Sequence, residues 1–265
     1  MARRTTTAGT DYASYLLIDD LLDLQRPLTP GAPDEMLFIV MHQAYELWFK
    51  LLLWELTRAR DELLGGRAHG AVAPLARVHR VEELLLAQLG VMETMSPDGF
   101  MQFRDPLAPA SGFQSLQFRE IEALSGRLDP THLTSAVLGS EQRERLRARL
   151  AEPTLWNAFC ACARSAGLDM PEGDASAAHA ARLQALVTLY RTHGADATLS
   201  TLHHVAEQLV DHDEAIGRWR FHHGLLAARE IGTRHGTGGS MGVGYLRTTV
   251  DTRFFPELWE VRTAL

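Results

Sequence analysis

Four places along the chain carry side chains able to do chemistry. His42 shares a helical stripe with Phe38, Tyr45 and Phe49, where an imidazole either faces an aromatic pocket or sits hydrogen-bonded in a core. Arg104 follows Phe100 by four residues, on one helical face. An arginine there suits bidentate capture of a carboxylate, and equally an internal ion pair with Asp105 or Glu120. In Trp219-Arg220-Phe221-His222-His223, neighbouring helical residues diverge by about 100°, so at most one of the two histidines faces a given site. A single imidazole on an aromatic-rich helix is one way a haem iron is held; a surface or core pair is the alternative. The stretch Gly236 to Gly244 exposes backbone N–H groups to an anion, and Thr237 adds a hydroxyl. It is no dinucleotide loop, because Met241 stands where that pattern needs glycine, and it lacks the Gly-Lys-Ser/Thr of a P-loop. A surface loop is its other reading.

A further group, His203, His204, Glu207, Asp211, His212, Asp213 and Glu214, resembles a carboxylate–histidine metal set. The Glu-x-x-His spacing of di-iron bundles is absent, since Val210 lies three residues after Glu207, so a solvated helix face is expected. Cys160 and Cys162 diverge on a helix and read as small core residues in a reducing compartment. No Cys-x-x-Cys-His run indicates covalent haem attachment.

The elements that must position these residues are helical. Leu37, Met41, Trp48, Leu52 and Leu56 recur at helical spacing from Asp34, after Pro33. Leu75, Val78, Leu85, Leu89 and Met92 predict a second helix. Ser96-Pro97 caps a third, which Pro106 should stop. Ser111 with Gln114 forms a capping box expected to open a fourth through Leu124. Ser140 is expected to cap an Arg-rich helix, and further helices run from Leu155 to Ala166, from about Ala177 to Gly194, and from about Leu199 to Ile231. No strand-length alternation appears. The expectation is an all-α, bundle-like fold in one domain over residues 1–265.

The chain has 265 residues, and 26 basic against 33 acidic side chains give a net charge of −7. That balance argues against a duplex nucleic-acid binder, which needs a positive field. No apolar run approaches the roughly 18 residues of a membrane span. Met1 to Asp11 is polar and lacks an apolar signal core, so no membrane association and a cytoplasmic location are expected.

Taken in order, several stretches resemble the tryptophan 2,3-dioxygenase family: Asp34 to Gln43, Phe103-Arg104-Asp105, Ser111 to Gln117, Trp219 to His223, Gly236 to Ser240, and Phe254 to Leu258. Each is modest alone; the colinear set is specific and spans nearly the whole chain. The resemblance implies an all-α homotetramer with one haem b per subunit, acting on tryptophan and O₂. By resemblance His223 is the iron ligand and His42 accepts a hydrogen bond from the indole N–H. Arg104 then grips the substrate carboxylate, Thr237 takes the ammonium and carboxylate, and Phe38 lines the indole pocket. Ser111, Gly112 and Gly236 border the cofactor. Tyr12 and Tyr15 belong to an N-terminal arm, residues 1–33, that reaches a neighbouring subunit's pocket.

The sequence also departs from the family. Phe100 and Phe118 stand where tyrosine is common, the former at a position that helps hold the carboxylate. Ala44 and Tyr45 replace small hydroxyl residues of some bacterial members, and Met41 a glutamine. The resemblance itself implies ring cleavage to N-formylkynurenine. The alternatives are a monooxygenase making a 2-oxindole from a β-substituted tryptophan, and a haem sensor or carrier without turnover.

Overall fold

The structure, a computed structural model, describes residues 11–134, 138–173, 175–238 and 242–265. Its regular elements, among the described residues, are all helical. An arm of α1 (Tyr12–Leu16) and α2 (Ile18–Leu22) precedes two long helices, α3 (Asp34–Leu64) and α4 (Ala68–Met92). Then come α5 (Pro97–Leu107), α6 (Leu116–Ser125), the single turn α7 (Thr131–Thr134), α8 (Ser140–Leu150), α9 (Leu155–Ser165) and α10 (Ser176–Thr192). The longest, α11 (Ala197–Ile231), is followed by α12 (Val243–Thr249) and α13 (Pro256–Ala264).

The core is built on α4, which packs against both α3 and α11. Met41, Tyr45, Phe49, Leu52 and Leu56 of α3 are buried, as are Leu75, Val78, Leu85 and Leu89 of α4. This is the three-and-four spacing of an apolar helix stripe. The Tyr45 hydroxyl donates to the Leu85 carbonyl, 2.6 Å away, and fixes the register of the pair. Glu35 starts α3 by accepting from the Leu28 and Thr29 N–H groups at 2.7 and 2.8 Å. By length and composition α3 is apolar enough to cross a bilayer, against the sequence expectation. Its apolarity has a local cause: one side fills the core and another lines a cavity.

The histidine–carboxylate group on α11 is the expected solvated face only in part: His204, Asp211 and Glu214 are exposed, whereas His212 and Asp213 are buried. His212 is fully buried, hydrogen-bonded to Glu82 of α4 and, at 3.0 Å, to Ser125 of α6. Asp213 accepts from the Phe254 and Phe255 N–H groups and from Trp259 Nε1. Those bonds join three elements to α11, and no group of three or more His, Cys, Asp or Glu poised for a metal occurs among the described residues. Both cysteines are buried and free.

Three helix boundaries differ from expectation. The Ser111–Gln114 box forms, but it closes a 3₁₀ turn over Gly112–Gln114, and Ser115 caps α6. The Arg-rich helix is capped by Gly139, whose N–H donates to Gln142, with Ser140 the first helical residue. Pro106 lies within the last turn of α5, which ends at Leu107.

Candidate active site

Helices α3, α4, α5, α6, α11 and α12, with the loops after α5 and α11, enclose a cavity of about 1580 Å³ including its mouth. Phe38, His42, Phe100, Arg104, Ser111, Gly112, His223, Gly236 and Thr237 all line it. The fold thus gathers residues up to 199 positions apart along the chain (237 − 38).

His42 and Phe38 are one turn apart, and their rings lie 4.0 Å centre to centre. His42 Nδ1 is 2.7 Å from the Phe38 carbonyl oxygen. A carbonyl only accepts, so Nδ1 carries the proton and the neutral ring keeps its lone pair on Nε2. Surrounding protein lowers the His42 pKa by desolvation, although the ring edge stays accessible from the cavity. His42 is therefore a neutral acceptor.

His223 on α11 is the second imidazole of the cavity. It stacks on Trp219, 5.1 Å between centroids and 18° between planes. Burial, and then the nearby His42, press its pKa down to about 4, so it too is neutral. No hydrogen bond to its ring is found among the described residues. His222 is exposed and meets Phe221 edge-on, away from the cavity lining.

Arg104 and Thr237 meet where the loops after α5 and α11 close on each other. Arg104 Nη2 donates to the His235 carbonyl at 2.8 Å, and Thr237 Oγ1 to the Ala110 carbonyl at 2.6 Å. Gly238 lies so close to Ser111 that a Cβ there would fall 2.6 Å from the serine Cβ. Glycine at this position is what lets the loops touch. Gly239, Ser240 and Met241 of the glycine-rich stretch lie outside the described residues. Of the ion pairs weighed for Arg104, Glu120 is taken by Arg145 at 2.6 Å, and Asp105 approaches only to 3.5 Å. Arg104 Nε is buried without a partner. The guanidinium fork keeps capacity for an incoming carboxylate.

The chain matches the tryptophan 2,3-dioxygenase family model over residues 1–169 and 157–265. A tryptophan 2,3-dioxygenase of Nocardioides sp. is 45% identical over 265 residues, covering 97% of this chain and 96% of that protein. Those of Anaeromyxobacter sp. (strain K) and Herpetosiphon aurantiacus are 40% and 41% identical, covering 98% and 96% of this chain and 97% and 98% of theirs. The chain belongs to the tryptophan 2,3-dioxygenase family.

The family is haem-dependent, and the cavity's donors fit that cofactor. A neutral imidazole whose lone pair is not taken by another donor is what would hold the haem iron. Arg119 supplies a second point of fit: it lines the cavity, and its Nε is buried without a partner. That N–H suits an acidic edge of a cofactor. Arg119 also bridges Glu122 at 2.6 Å and His132 Nε2 at 2.8 Å, while Arg220 donates to the other Glu122 oxygen at 2.9 Å.

Sequence reasoning missed this buried Arg119–Glu122–Arg220 cluster. The i, i+3 spacing of Arg119 and Glu122 was its only local signal, and a solvated surface pair gives the same one. It also missed Glu230, which shares the His223 face of α11 through Leu226 and Ala227. Tyr12 and Tyr15 are not gathered into this cavity; they are 76% and 74% exposed on the arm.

Proposed function

We propose that this protein is a haem b-dependent dioxygenase that cleaves the C2–C3 bond of L-tryptophan with O₂, giving N-formylkynurenine. The observation that carries the reading is the coexistence, in one cavity, of two neutral imidazoles with the Arg104 fork. His223 would hold the iron, and the bound haem supplies activation of O₂. Ser111, Gly112 and Gly236 would border it. Arg104 takes the substrate carboxylate, Thr237 the ammonium and carboxylate, and Phe38 packs on the indole with Phe100 beside it. His42 Nε2 accepts the indole N–H. Holding head and ring at once presents C2–C3 in a fixed orientation, a positioning effect of several kcal/mol, up to about 7–11 in favourable cases.

The relatives' names favour ring cleavage over oxindole formation, and the amino-acid clamp gives a mere gas sensor no purpose. Both oxygen atoms enter the product, so no net electrons are consumed. Ferrous, haem-loaded protein in aerated buffer with tryptophan should form N-formylkynurenine and take up one O₂ per product. A continuing need for reductant or peroxide would contradict this reading.

The working unit we propose is a homotetramer of single-domain subunits, in the cytoplasm, without nucleic-acid or membrane partners. Residues 1–33 would carry Tyr12 and Tyr15 to a neighbouring pocket. Support comes from the apolar side chains the arm leaves exposed, Tyr12, Tyr15, Leu17 and Leu22 among them. The free buried thiols suit a reducing compartment. Sedimentation should give four subunits, and removing residues 1–33 should lower turnover.

A further inference from the structure

Glu230 is a charged group of the cavity wall whose chemistry the proposed reaction does not use and whose burial is costly. It is 7% exposed, it lines the cavity, and its Oε2 is enclosed without a hydrogen-bond partner. No hydrogen bond or ion pair to either oxygen is formed among the described residues. An unpaired buried carboxyl is destabilising, and leucine or isoleucine would fill the same wall without that cost.

Its place in the cavity is fixed by its neighbours. It stands two turns after His223 on α11, on the cavity-lining face with Leu226 and Ala227, and the charges of Arg229 and Asp34 reach it. Asp34 stands one turn before Phe38 on α3 and presses against Gly99, the residue before Phe100. Phe100 in turn lies 5.9 Å from Phe38, whose ring centre is 4.0 Å from that of His42. Glu230 thus borders the aromatic end of the cavity, where α3, α5 and α11 converge. An indole held by its head at Arg104 and by its N–H at His42 would turn its benzo edge along this wall. Desolvation raises the Glu230 pKa, which shifts the carboxyl toward the form that donates as well as accepts.

We infer that Glu230 is a specificity-determining residue that hydrogen-bonds a polar substituent, a hydroxyl above all, on the benzo ring of the substrate's indole. This rests on the indole-oxygenase reading above and names a substrate class within it. A site built to bond a hydroxyl discriminates strongly against the analogue lacking it, because its own polar group is then left unpaired.

The test uses the haem-loaded, full-length protein with L-tryptophan and its 4-, 5-, 6- and 7-hydroxy derivatives, plus the matching methyl derivatives as controls for size. Dissociation constants are read from the perturbed haem spectrum, and kcat/KM from O₂ uptake. At least one hydroxytryptophan should bind more tightly than both tryptophan and its methyl counterpart, by about tenfold or more. Glu230→Leu should abolish that preference and improve tryptophan itself, whereas Glu230→Gln should keep much of it. Equal haem content and circular dichroism certify that the variants fold. If tryptophan is turned over but no hydroxyl isomer is preferred, or if Glu230→Leu leaves the preference unchanged, the assignment of Glu230 is wrong and the oxygenase reading stands. If no indole amino acid binds or reacts, both fall.

Discussion

His42 Nδ1 lies 2.7 Å from the carbonyl oxygen of Phe38, one helical turn before it on α3. That bond selects the tautomer whose Nε2 can accept but not donate. In the proposed function it would make His42 a positioning group for an indole N–H, which is too weak an acid for a neutral imidazole to deprotonate outright. A neutral hydrogen bond contributes about 0.5–1.5 kcal/mol, so His42→Ala should slow tryptophan turnover by roughly tenfold, with further loss if the ring tilts. On 1-methyltryptophan, which has no N–H to offer, the same substitution should cost less. Complete inactivity of a variant that still binds haem, O₂ and tryptophan would show that His42 moves a proton in an essential step.

Arg104 should carry most of the carboxylate recognition, because Phe100 offers no hydroxyl to share it. Loss of one partner from a buried charge-assisted pair costs about 2–5 kcal/mol. Arg104→Ala should then weaken tryptophan binding by one to several decades, about one per 1.4 kcal/mol. Tryptamine, which lacks the carboxylate, should bind wild type and variant alike. Equal binding of tryptophan to both proteins would remove Arg104 from the clamp.

His223→Ala should abolish the ligand-sensitive haem spectrum, and His222→Ala should leave it. His223 lines the cavity against Trp219, whereas His222 is exposed beside Phe221. The reverse outcome would move the iron ligand by one residue.

The fold class was legible because helical spacing and caps are local signals: Ser96 caps α5 and Asp34 opens α3 as expected. The candidate site was legible only through the ordered set of motifs, since nothing local told His42 from a core histidine or His223 from His222. Tertiary packing supplied the rest. Ser115, not Ser111, caps α6 because the Ser111 box is spent on a 3₁₀ turn against Gly238. His212 and Asp213 resemble metal ligands in sequence, yet their partners Glu82, Ser125 and Phe254 lie 130, 87 and 41 residues away.

Acid should destabilise the protein partly through His132. Burial, and then the charge of Arg119, push its pKa down to about 4, from roughly 6.5 in an unfolded chain. The unfolded state therefore binds the proton first. The contribution of neutral His132 is fully present above about pH 6.5 and is lost as the pH falls toward 4. Urea midpoints of the wild type should drop across that window, and those of His132→Gln should drop less. Parallel curves would show that His132 is not among the groups responsible.

The central claim is that both atoms of one O₂ enter the opened indole ring. Mass spectrometry of the product formed from L-tryptophan by the haem-loaded ferrous protein under ¹⁸O₂ tests it most directly. The account predicts N-formylkynurenine carrying two ¹⁸O atoms, formed without continuing reductant or peroxide. A 2-oxindole carrying a single ¹⁸O, or a product whose oxygen comes from water, would contradict it.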